Sequence, residues 1–470
     1  MRFIDIIALS KEYILIGMLA AVAVSMIFVF VYKKSNKAEK TVKWSKILWI
    51  GAMVCYLIFL FGATMMSRSG GVWSNHKFLP AFYSYKEAWI KFSASAWRNI
   101  VLNICLFLPM GFLIPIGFRK MRRLWKTTLA GFGVSFLIEI TQMLLKRGIS
   151  EIDDLINNTL GTMIGFGLFV IVLLAFNRLR GRETQDFRWK KMPVYQIPLL
   201  GTVLMFTVIF SSYARQELGN LPITPIIENE EEMFTITTDK VFPDQGGVTP
   251  VYQIKMFTKE EAVEYGNEIL RKLGSKIDEA QNNYYEDTVF LKAPERFHIN
   301  VNYYGGSFRL IDFETSYGSD KVKVRKDVTE QEARERFEDY GMEIPEEAEF
   351  IKDEETGDFI FKVSMLKKEH SILDGSIKAN LYNNGCFGYI DDFIVEYDEY
   401  KDFEVISPKE AYEKMLDGEF EQIYEYSEIQ VEDYDIHYML DSKGFYQPCY
   451  AFSGKLNGEE SVILIPAVEQ

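Results

Sequence analysis

The sequence predicts a polytopic α-helical membrane protein with six transmembrane helices, followed by an extracytoplasmic α+β domain. Three observations predict this fold class: apolar segments of about 20 residues in the first half, a change of composition near residues 213–225, and a helix-plus-strand pattern that recurs in the second half. We therefore expect a membrane domain over residues 1–214, a linker over 215–225 and an acidic α+β domain over 226–470.

The two halves of the chain carry opposite charge. Residues 1–214 contain 26 Lys+Arg and 10 Asp+Glu, a net charge of +16, whereas residues 215–470 contain 26 and 56, a net charge of −30. Together they give the −14 of the whole chain. Nucleic-acid binding requires a basic face, so this acidic half with scattered basic residues argues against a nucleic-acid partner.

Six apolar segments are long enough to cross a bilayer. The first is too long for the apolar core of a signal peptide, and no small-residue cleavage site precedes Lys33, so we expect it to be retained. In chain order, the predicted spans are Tyr13–Tyr32, Ile47–Met66, Ile100–Phe118, Thr127–Leu145, Leu155–Phe176 and Tyr195–Tyr213.

The basic residues of the short loops predict the orientation in the membrane. Loops 33–46, 119–126 and 177–194 contain six, five and six Lys or Arg residues, and they alternate with the less basic loops 67–99 and 146–154. We therefore expect the three basic loops to be cytoplasmic. The amino terminus, the other two loops and residues 214–470 are then expected on the extracytoplasmic face.

A capping pattern recurs three times in the second half. Thr258, Thr329 and Ser407 are each followed three residues later by Glu, a capping box that begins a helix. Alternating strand patterns follow, separated by turn signals such as Gly305-Gly306. The segments FHINVNYY, SFRLIDFET, DFIFKVSML, GCFGYIDDFIVEY and SVILIPAV are predicted strands. This pattern predicts a unit of one helix and a small antiparallel sheet, repeated about every 75 residues.

Polar residues interrupt the predicted helices of the membrane half. Helical spacing places Ser135, Glu139 and Gln142 on one face, and Asp154, Asn158, Gly161 and Gly165 on one face of the next helix. Polar groups at membrane depth are costly and usually face a bundle interior or a cavity. Candidate binding residues are Asn103, Glu139, Gln142, Arg147, Asp154 and Asn158.

Two interpretations of these residues stay open. In the functional one, they form a pocket, open to the outer leaflet, for the headgroup of a lipid or another amphiphile. In the structural one, the amides and Glu139 hydrogen-bond between helices to fix the bundle. Asp153 and Asp154 would also complement the dipole of their own helix, and Arg147 would also serve as an interfacial anchor.

The order of these residues resembles the VanZ-like family. The motifs are N-x3-N-x5-P-x-G (Asn99, Asn103, Pro109, Gly111), S-x3-E-x2-Q, and R-x6-D-x3-N-x2-G ending at Gly161, within residues of about 45–180. The resemblance implies a small polytopic membrane protein associated with reduced susceptibility to teicoplanin and related lipoglycopeptides. It implies a lipid, a lipid-linked cell-wall precursor or a lipoglycopeptide as the ligand, and it supplies no reaction.

The closing segment FYQPCYAFSGKLNGEESVILIPAV resembles the terminal strand pair of YycI-like and PepSY-like exported modules. The resemblance implies that residues 226–470 bind a partner protein of the cell envelope. An envelope signalling scaffold is therefore the second functional hypothesis. The third is an intramembrane enzyme acting on lipid headgroups, with Glu139 as acid or base and Arg147 as the phosphate partner.

The sequence favours no catalytic, cofactor or metal site. It contains no P-loop, HExxH or paired CxxC motif, and His298, His370 and His437 lie in strand or turn patterns typical of ordinary domain histidines. No acidic run has the spacing of a calcium-binding EF-hand loop. Cys386 and Cys449 would either pair in an exported domain or remain two buried thiols.

Overall fold

A computed structural model describes residues 15–30, 44–66, 80–145, 151–182, 186–224, 234–294, 296–319, 321–421 and 427–469. The chain divides into two compact units, residues 1–216 and residues 217–470. Their boundary follows the last long apolar helix.

The first unit consists of apolar helices. In the described residues, five helices have the length and hydropathy needed to cross a membrane, and a shorter apolar helix precedes them. This confirms a first half of five to six apolar helices. The helices are α1 (Leu15–Phe30), α2 (Trp44–Phe61, extended by a π-helical turn over Gly62–Met66), α3 (Tyr83–Lys91), α4 (Ala94–Gly117), α5 (Leu124–Leu144), α6 (Ile152–Leu179), α7 (Met192–Tyr195) and α8 (Ile197–Arg215).

Glycines bring α4 and α6 into backbone contact. A Cβ atom added at Gly161 would lie 2.0 Å from the carbonyl oxygen of Ile104, and one at Gly165 would lie 2.1 Å from that of Leu108. From the other side, a Cβ atom at Gly111 would lie 1.9 Å from the carbonyl oxygen of Thr162. Small residues at such spacing allow close helix approach within membranes. The pair α4–α6 is therefore the tightly packed centre of this unit.

Loops meet at both ends of this bundle. At one end, Arg122 donates to Asp186 at 2.7 Å, which joins the segment after α4 to the segment after α6. At the other end, the backbone N–H of Ser84 donates to Asp153 at 2.7 Å, which joins the start of α3 to the start of α6. The described parts of the basic loops 119–126 and 177–194 thus lie at one end of the bundle, and those of the less basic loops 67–99 and 146–154 lie at the other.

The second unit is a mixed α+β domain with a large sheet. Its described residues form one 14-stranded sheet in the order β1-β12-β13-β2-β11-β9-β10-β6-β5-β4-β3, with β14 beside β13, and β8 between β9 and β7. The strands are β1 (Phe234–Thr238), β2 (Gly247–Ile254), β3 (Asn283–Tyr284), β4 (Thr288–Lys292), β5 (Phe297–Asn302), β6 (Phe308–Asp312), β7 (Glu349–Lys352), β8 (Asp358–Lys367), β9 (Ser371–Leu381), β10 (Phe387–Asp392), β11 (Val395–Val405), β12 (Ser427–Leu440), β13 (Phe445–Leu456) and β14 (Glu459–Pro466). One pairing, β1 with β12, is parallel, so the sheet is not purely antiparallel.

The three predicted capping residues each begin a helix. Thr258 begins α9 (Lys259–Lys272), Thr329 begins α11 (Glu330–Asp339) and Ser407 begins α12 (Pro408–Leu416). The helix α9 has both hydrogen bonds of a capping box. At α11 the Glu332 carboxylate instead pairs with the guanidinium of Arg325, at a distance of 2.5 Å.

One predicted strand is shorter than expected. The segment SFRLIDFET pairs as β6 only to Asp312, where the chain turns into the short helix α10 (Phe313–Tyr317). The reason is local: the Asp312 carboxylate accepts from the backbone N–H of Thr315 at 3.1 Å, which caps the new helix. Asp312 is held in place by Arg296, which donates to it at 2.7 Å.

Three buried clusters form the hydrophobic core of this unit. One lies between the helices α9 and α11 and the strands β4–β6 and β8–β10, and a second lies between α12 and the strands β2 and β12–β14. The third lies among the strands β2, β9 and β11. The three recurring helices α9, α11 and α12 thus pack on one continuous sheet. The expected repetition of small separate sheets is wrong.

Candidate functional site

Polar side chains meet inside the bundle at the end where α4 and α6 begin and α5 ends. We call Asn103, Glu139, Gln142, Asp154 and Asn158 the polar cluster. Glu139 is 6% exposed, Asn158 4% and Gln142 1%, and Asp154 is also buried. The helical faces expected from the spacing of these residues therefore face the interior of the bundle.

Hydrogen bonds of the polar cluster join four helices. Asn103 on α4 donates to the carboxylate of Asp154 on α6. Asn158 on α6 donates to Ser135 Oγ on α5 at 2.9 Å. Gln142 on α5 donates at 2.8 Å to the carbonyl oxygen of Thr64 in the π-helical turn after α2. Bonds of this kind fix helix positions in a membrane, so part of the cluster has the structural role that the sequence left open.

Two amide oxygens of the cluster have no donor. Within the described residues, nothing donates to Asn158 Oδ1 or to Gln142 Oε1, although both atoms are fully buried. A buried acceptor without a donor costs about 1–3 kcal/mol, so each oxygen is an energetically favourable place for an incoming N–H or O–H group. The cluster is therefore able to accept hydrogen bonds from a ligand.

Arg147 and Asn99 also belong to the family motifs. Arg147 lies outside the described residues. Asn99, which shares the family motif with Asn103, is exposed on α4. Asn99 is four residues nearer the end of α4 than Asn103, a distance of about 6 Å along the helix axis. Because Asn103 already meets the first turn of α6 at Asp154, Asn99 lies beyond the part of α4 that α6 covers.

Asp153 holds the amino-terminal end of α3. Its carboxylate accepts from the backbone N–H groups of Phe82 at 2.5 Å and Ser84 at 2.7 Å, and it is 1% exposed. Sequence patterning assigned Asp153 to the dipole of its own helix and did not predict α3. A helix of nine residues spans too few turns for its hydrophobic period to be recognised in the sequence. The aromatic residues of the loop were the one available sign that part of it is buried.

Asn157 and Tyr85 also belong to this end of the bundle. Tyr85 OH donates to Asn157 Oδ1 at 2.5 Å, and Asn157 is buried. Burial, and then the neighbouring Asp153 charge, raise the pKa of Tyr85 to about 12, so the hydroxyl keeps its proton and remains a donor. Both residues were missed, because the pairing joins positions 72 residues apart.

We expect Asp153→Ala to release α3 from the bundle. The substitution leaves two backbone N–H groups without their acceptor and removes a charge at a helix amino terminus, at a cost of about 2–3 kcal/mol. Hydrogen exchange of residues 80–92 in the full-length protein should accelerate. Glu87→Ala is the matched control, because among the described residues Glu87 pairs with Lys91 of the same helix alone, and its removal should leave exchange unchanged. Equal exchange in the Asp153→Ala variant and the unaltered protein would contradict this role.

The described residues contain no group of three or more His, Cys, Asp or Glu side chains arranged to hold a metal ion. All four cysteines are free thiols. Cys449 lies buried in β13, where burial raises the pKa of its thiol to about 12, and Cys386 lies 3.7 Å from Arg296. Both thiols are thus unpaired, but only Cys449 is buried as that alternative expected, and Cys386 is partly buried.

Comparison with known proteins finds similarities in sequence and in structure. The VanZ/LLP1 family model matches residues 18–174. Protein VanZ of Enterococcus faecium is 26% identical over 128 residues, which cover 26% of this chain and 74% of that protein. Among solved structures, the Bacillus megaterium YpeB C-terminal domain matches 46% of this chain and 94% of its own length, with 10% identity and a TM-score of 0.18. That structural likeness is too weak to carry an inference.

Proposed function

We propose that this chain, whose residues 18–174 belong to the VanZ/LLP1 family, lowers the susceptibility of a bacterial cell to teicoplanin-type lipoglycopeptides. The chain is a membrane protein of that family with an additional C-terminal domain and is distantly homologous to VanZ of Enterococcus faecium. The antibiotic class comes from the family resemblance. The polar cluster supports it with a location at which an amphiphile would act.

The observation that carries the proposal is the pair of buried oxygens, Asn158 Oδ1 and Gln142 Oε1, that no described residue satisfies. A lipid-linked cell-wall precursor, a membrane lipid with a donor headgroup and a lipoglycopeptide all present N–H or O–H groups beside an acyl chain. The carboxylate of Glu139, which is buried one turn before Gln142 on α5, would accept hydrogen bonds from the same groups when ionised. We infer that the headgroup of such an amphiphile enters the bundle at this end.

The orientation of the chain is part of the proposal. The described parts of the basic loops 119–126 and 177–194 lie at the end opposite the polar cluster, which supports a cytoplasmic location for these loops. The polar cluster would then lie in the outer leaflet, and residues 217–470 would lie outside the membrane. Lipoglycopeptides and finished cell-wall precursors are met on that side.

The test is teicoplanin and vancomycin susceptibility of a sensitive Gram-positive host that expresses the full-length chain. We expect teicoplanin tolerance above the empty-vector strain, and loss of that tolerance in Glu139→Gln and Asn158→Ala at unchanged membrane abundance. Asn99→Ala is the matched control, because it removes an exposed asparagine of the same bundle. Tolerance in this control should be unchanged.

A second variant separates binding from helix fixing. Ser135→Ala removes the hydrogen bond from Asn158 to Ser135 but leaves Asn158 Oδ1 in place. If Asn158 acts on a ligand, Ser135→Ala keeps tolerance while Asn158→Ala loses it. If both variants lose tolerance equally, Asn158 only fixes the helices and the binding role is wrong. Full tolerance in Asn158→Ala and Glu139→Gln would contradict the proposal as a whole.

An envelope scaffold is the second candidate function, and the compact second unit with its own three hydrophobic clusters favours it. In that case residues 217–470 bind a partner protein and the bundle is an anchor. Replacing residues 1–216 by an unrelated membrane anchor discriminates, because only the scaffold keeps its activity after the exchange. The intramembrane enzyme stays a prediction, because Arg147, its expected phosphate partner, lies outside the described residues.

A further inference from the structure

An apolar groove runs along the first unit between α4, α6 and α8. Its volume is about 670 Å³, within the range of roughly 300–1,000 Å³ that ligand sites occupy. The helix α8 contributes much of one wall, and only 6% of its most apolar stretch is buried by the protein. The residues that the argument uses are Val101 and Cys105 on α4, and Phe206, Phe210 and Ser211 on α8.

Two nitrogen donors on α4 precede the first groove-lining residue of that helix, Val101, by about one turn. Arg98 precedes Val101 by three residues and Cys105 by seven, so the three side chains share one face of α4. In the described part of the chain nothing accepts a hydrogen bond from Arg98 Nε, which is buried, and Arg98 forms no ion pair there. A buried N–H group without an acceptor is costly, so an anion from outside the protein would stabilise the half-buried Arg98 side chain.

Trp97 supplies the second donor. Its ring contacts Phe206 and Phe210 on the groove wall, with centroid distances of 6.0 and 5.5 Å. The residue is 5% exposed, and within the described residues its Nε1–H group has no acceptor. A buried indole N–H normally finds a partner, so the cation of Arg98 and this donor together define a place for an anionic oxygen.

We propose that the groove between α4, α6 and α8 binds one anionic phospholipid, with its phosphate at Arg98 and Trp97 and one acyl chain along α4. From Trp97 to Leu108 the helix rises about 16 Å, a length suited to an acyl chain. The guanidinium provides a forked set of donors for a phosphate group. This site lies on a different face of α4 from Asn103, and it does not depend on the antibiotic phenotype.

A membrane lipid is the occupant because the walls are apolar and the charge lies at one end only. A free phosphate would use Arg98 but would leave the apolar groove empty. A neutral lipid would fill the groove but would leave Arg98 without an anion. Only a molecule with an acyl chain and an anionic headgroup satisfies both parts.

The test is native mass spectrometry of the full-length protein in detergent, titrated with phosphatidylglycerol or with phosphatidylcholine of the same acyl chains. We expect phosphatidylglycerol to bind about tenfold more tightly, as a charge-assisted pair would give. Arg98→Gln should remove this preference. Glycerol phosphate, which carries the same anionic group without acyl chains, should not displace the lipid.

Two adjacent serines of α8 provide a test variant and a matched control for lipid binding in the groove. Ser211→Phe fills the groove and should weaken both lipids, whereas Ser212→Phe alters a neighbouring α8 residue that does not line it and should leave binding unchanged. Equal affinity for the two lipids in the unaltered protein would overturn the proposal. So would a preference that survives Arg98→Gln, or binding that survives Ser211→Phe.

Discussion

Gly161→Ala is expected to destabilise the helix bundle by about 3 kcal/mol, the upper end of the usual cost of overpacking. The new Cβ atom would lie 2.0 Å from the carbonyl oxygen of Ile104, which is a backbone atom and cannot rotate away. The helices α4 and α6 would have to separate. Thermal unfolding of the full-length protein, followed by size-exclusion chromatography in detergent, measures the loss as a lower midpoint temperature.

Separation of α4 and α6 should also disrupt the polar cluster. Gly161 lies one turn from Asn158 on the face of α6 that carries Asp154, and Asp154 is hydrogen-bonded to Asn103 on α4. Moving the helices apart breaks that bond, so the antibiotic tolerance proposed above should be lost together with stability. Susceptibility of cells that carry the variant, compared at equal protein abundance, measures this second effect.

Gly133→Ala is the matched control for this prediction. Gly133 also lies inside a long helix, α5, but nothing is within 4 Å of the Cβ atom it would gain. Alanine has the higher helix propensity by about 1 kcal/mol, so this variant should be as stable as the unaltered protein or slightly more stable. If Gly161→Ala melts at the same temperature as Gly133→Ala, the close contact of α4 and α6 is wrong.

The sequence predicted the faces of the helices but not their partners. The period of 3.6 residues placed Ser135, Glu139 and Gln142 on one face, and all three are buried. Periodicity carries no information about which helix lies opposite, so the bond from Gln142 to the Thr64 carbonyl oxygen could not be predicted. Asp153 was assigned to its own helix for the same reason, since its partners arrive from α3.

The second unit shows the same division between local and distant signals. The starts of α9, α11 and α12 follow from residues three positions apart, and the sequence located each of them. The strand order depends on pairings between distant segments, such as β1 with β12 and β2 with β11. No local sequence pattern predicts which distant strands pair. The sequence alone therefore could not distinguish a single continuous sheet from repeated small sheets.

Asp441→Ala is expected to destabilise the second unit by about 4 kcal/mol, because a buried carboxylate with several hydrogen bonds is lost. Asp441 Oδ2 accepts from the Gly219 N–H at 2.6 Å and from Gln447 Nε2 at 2.5 Å. Its Oδ1 accepts from the N–H groups of Lys443 at 2.7 Å and Phe445 at 2.8 Å. One side chain thus joins the start of the unit to the turn between β12 and β13.

The measurement is hydrogen exchange of residues 217–224 and 441–447 in the full-length protein, together with the melting temperature. Ser442→Ala is the graded control, because it removes one acceptor in the same turn, for the Asn220 N–H at 2.9 Å, and should cost about 1 kcal/mol. Asp441→Asn should lie between the two, since its Nδ2 would face two donors while its oxygen keeps two bonds. An Asp441→Ala protein no less stable than Ser442→Ala would show that the carboxylate does not hold this end of the unit together.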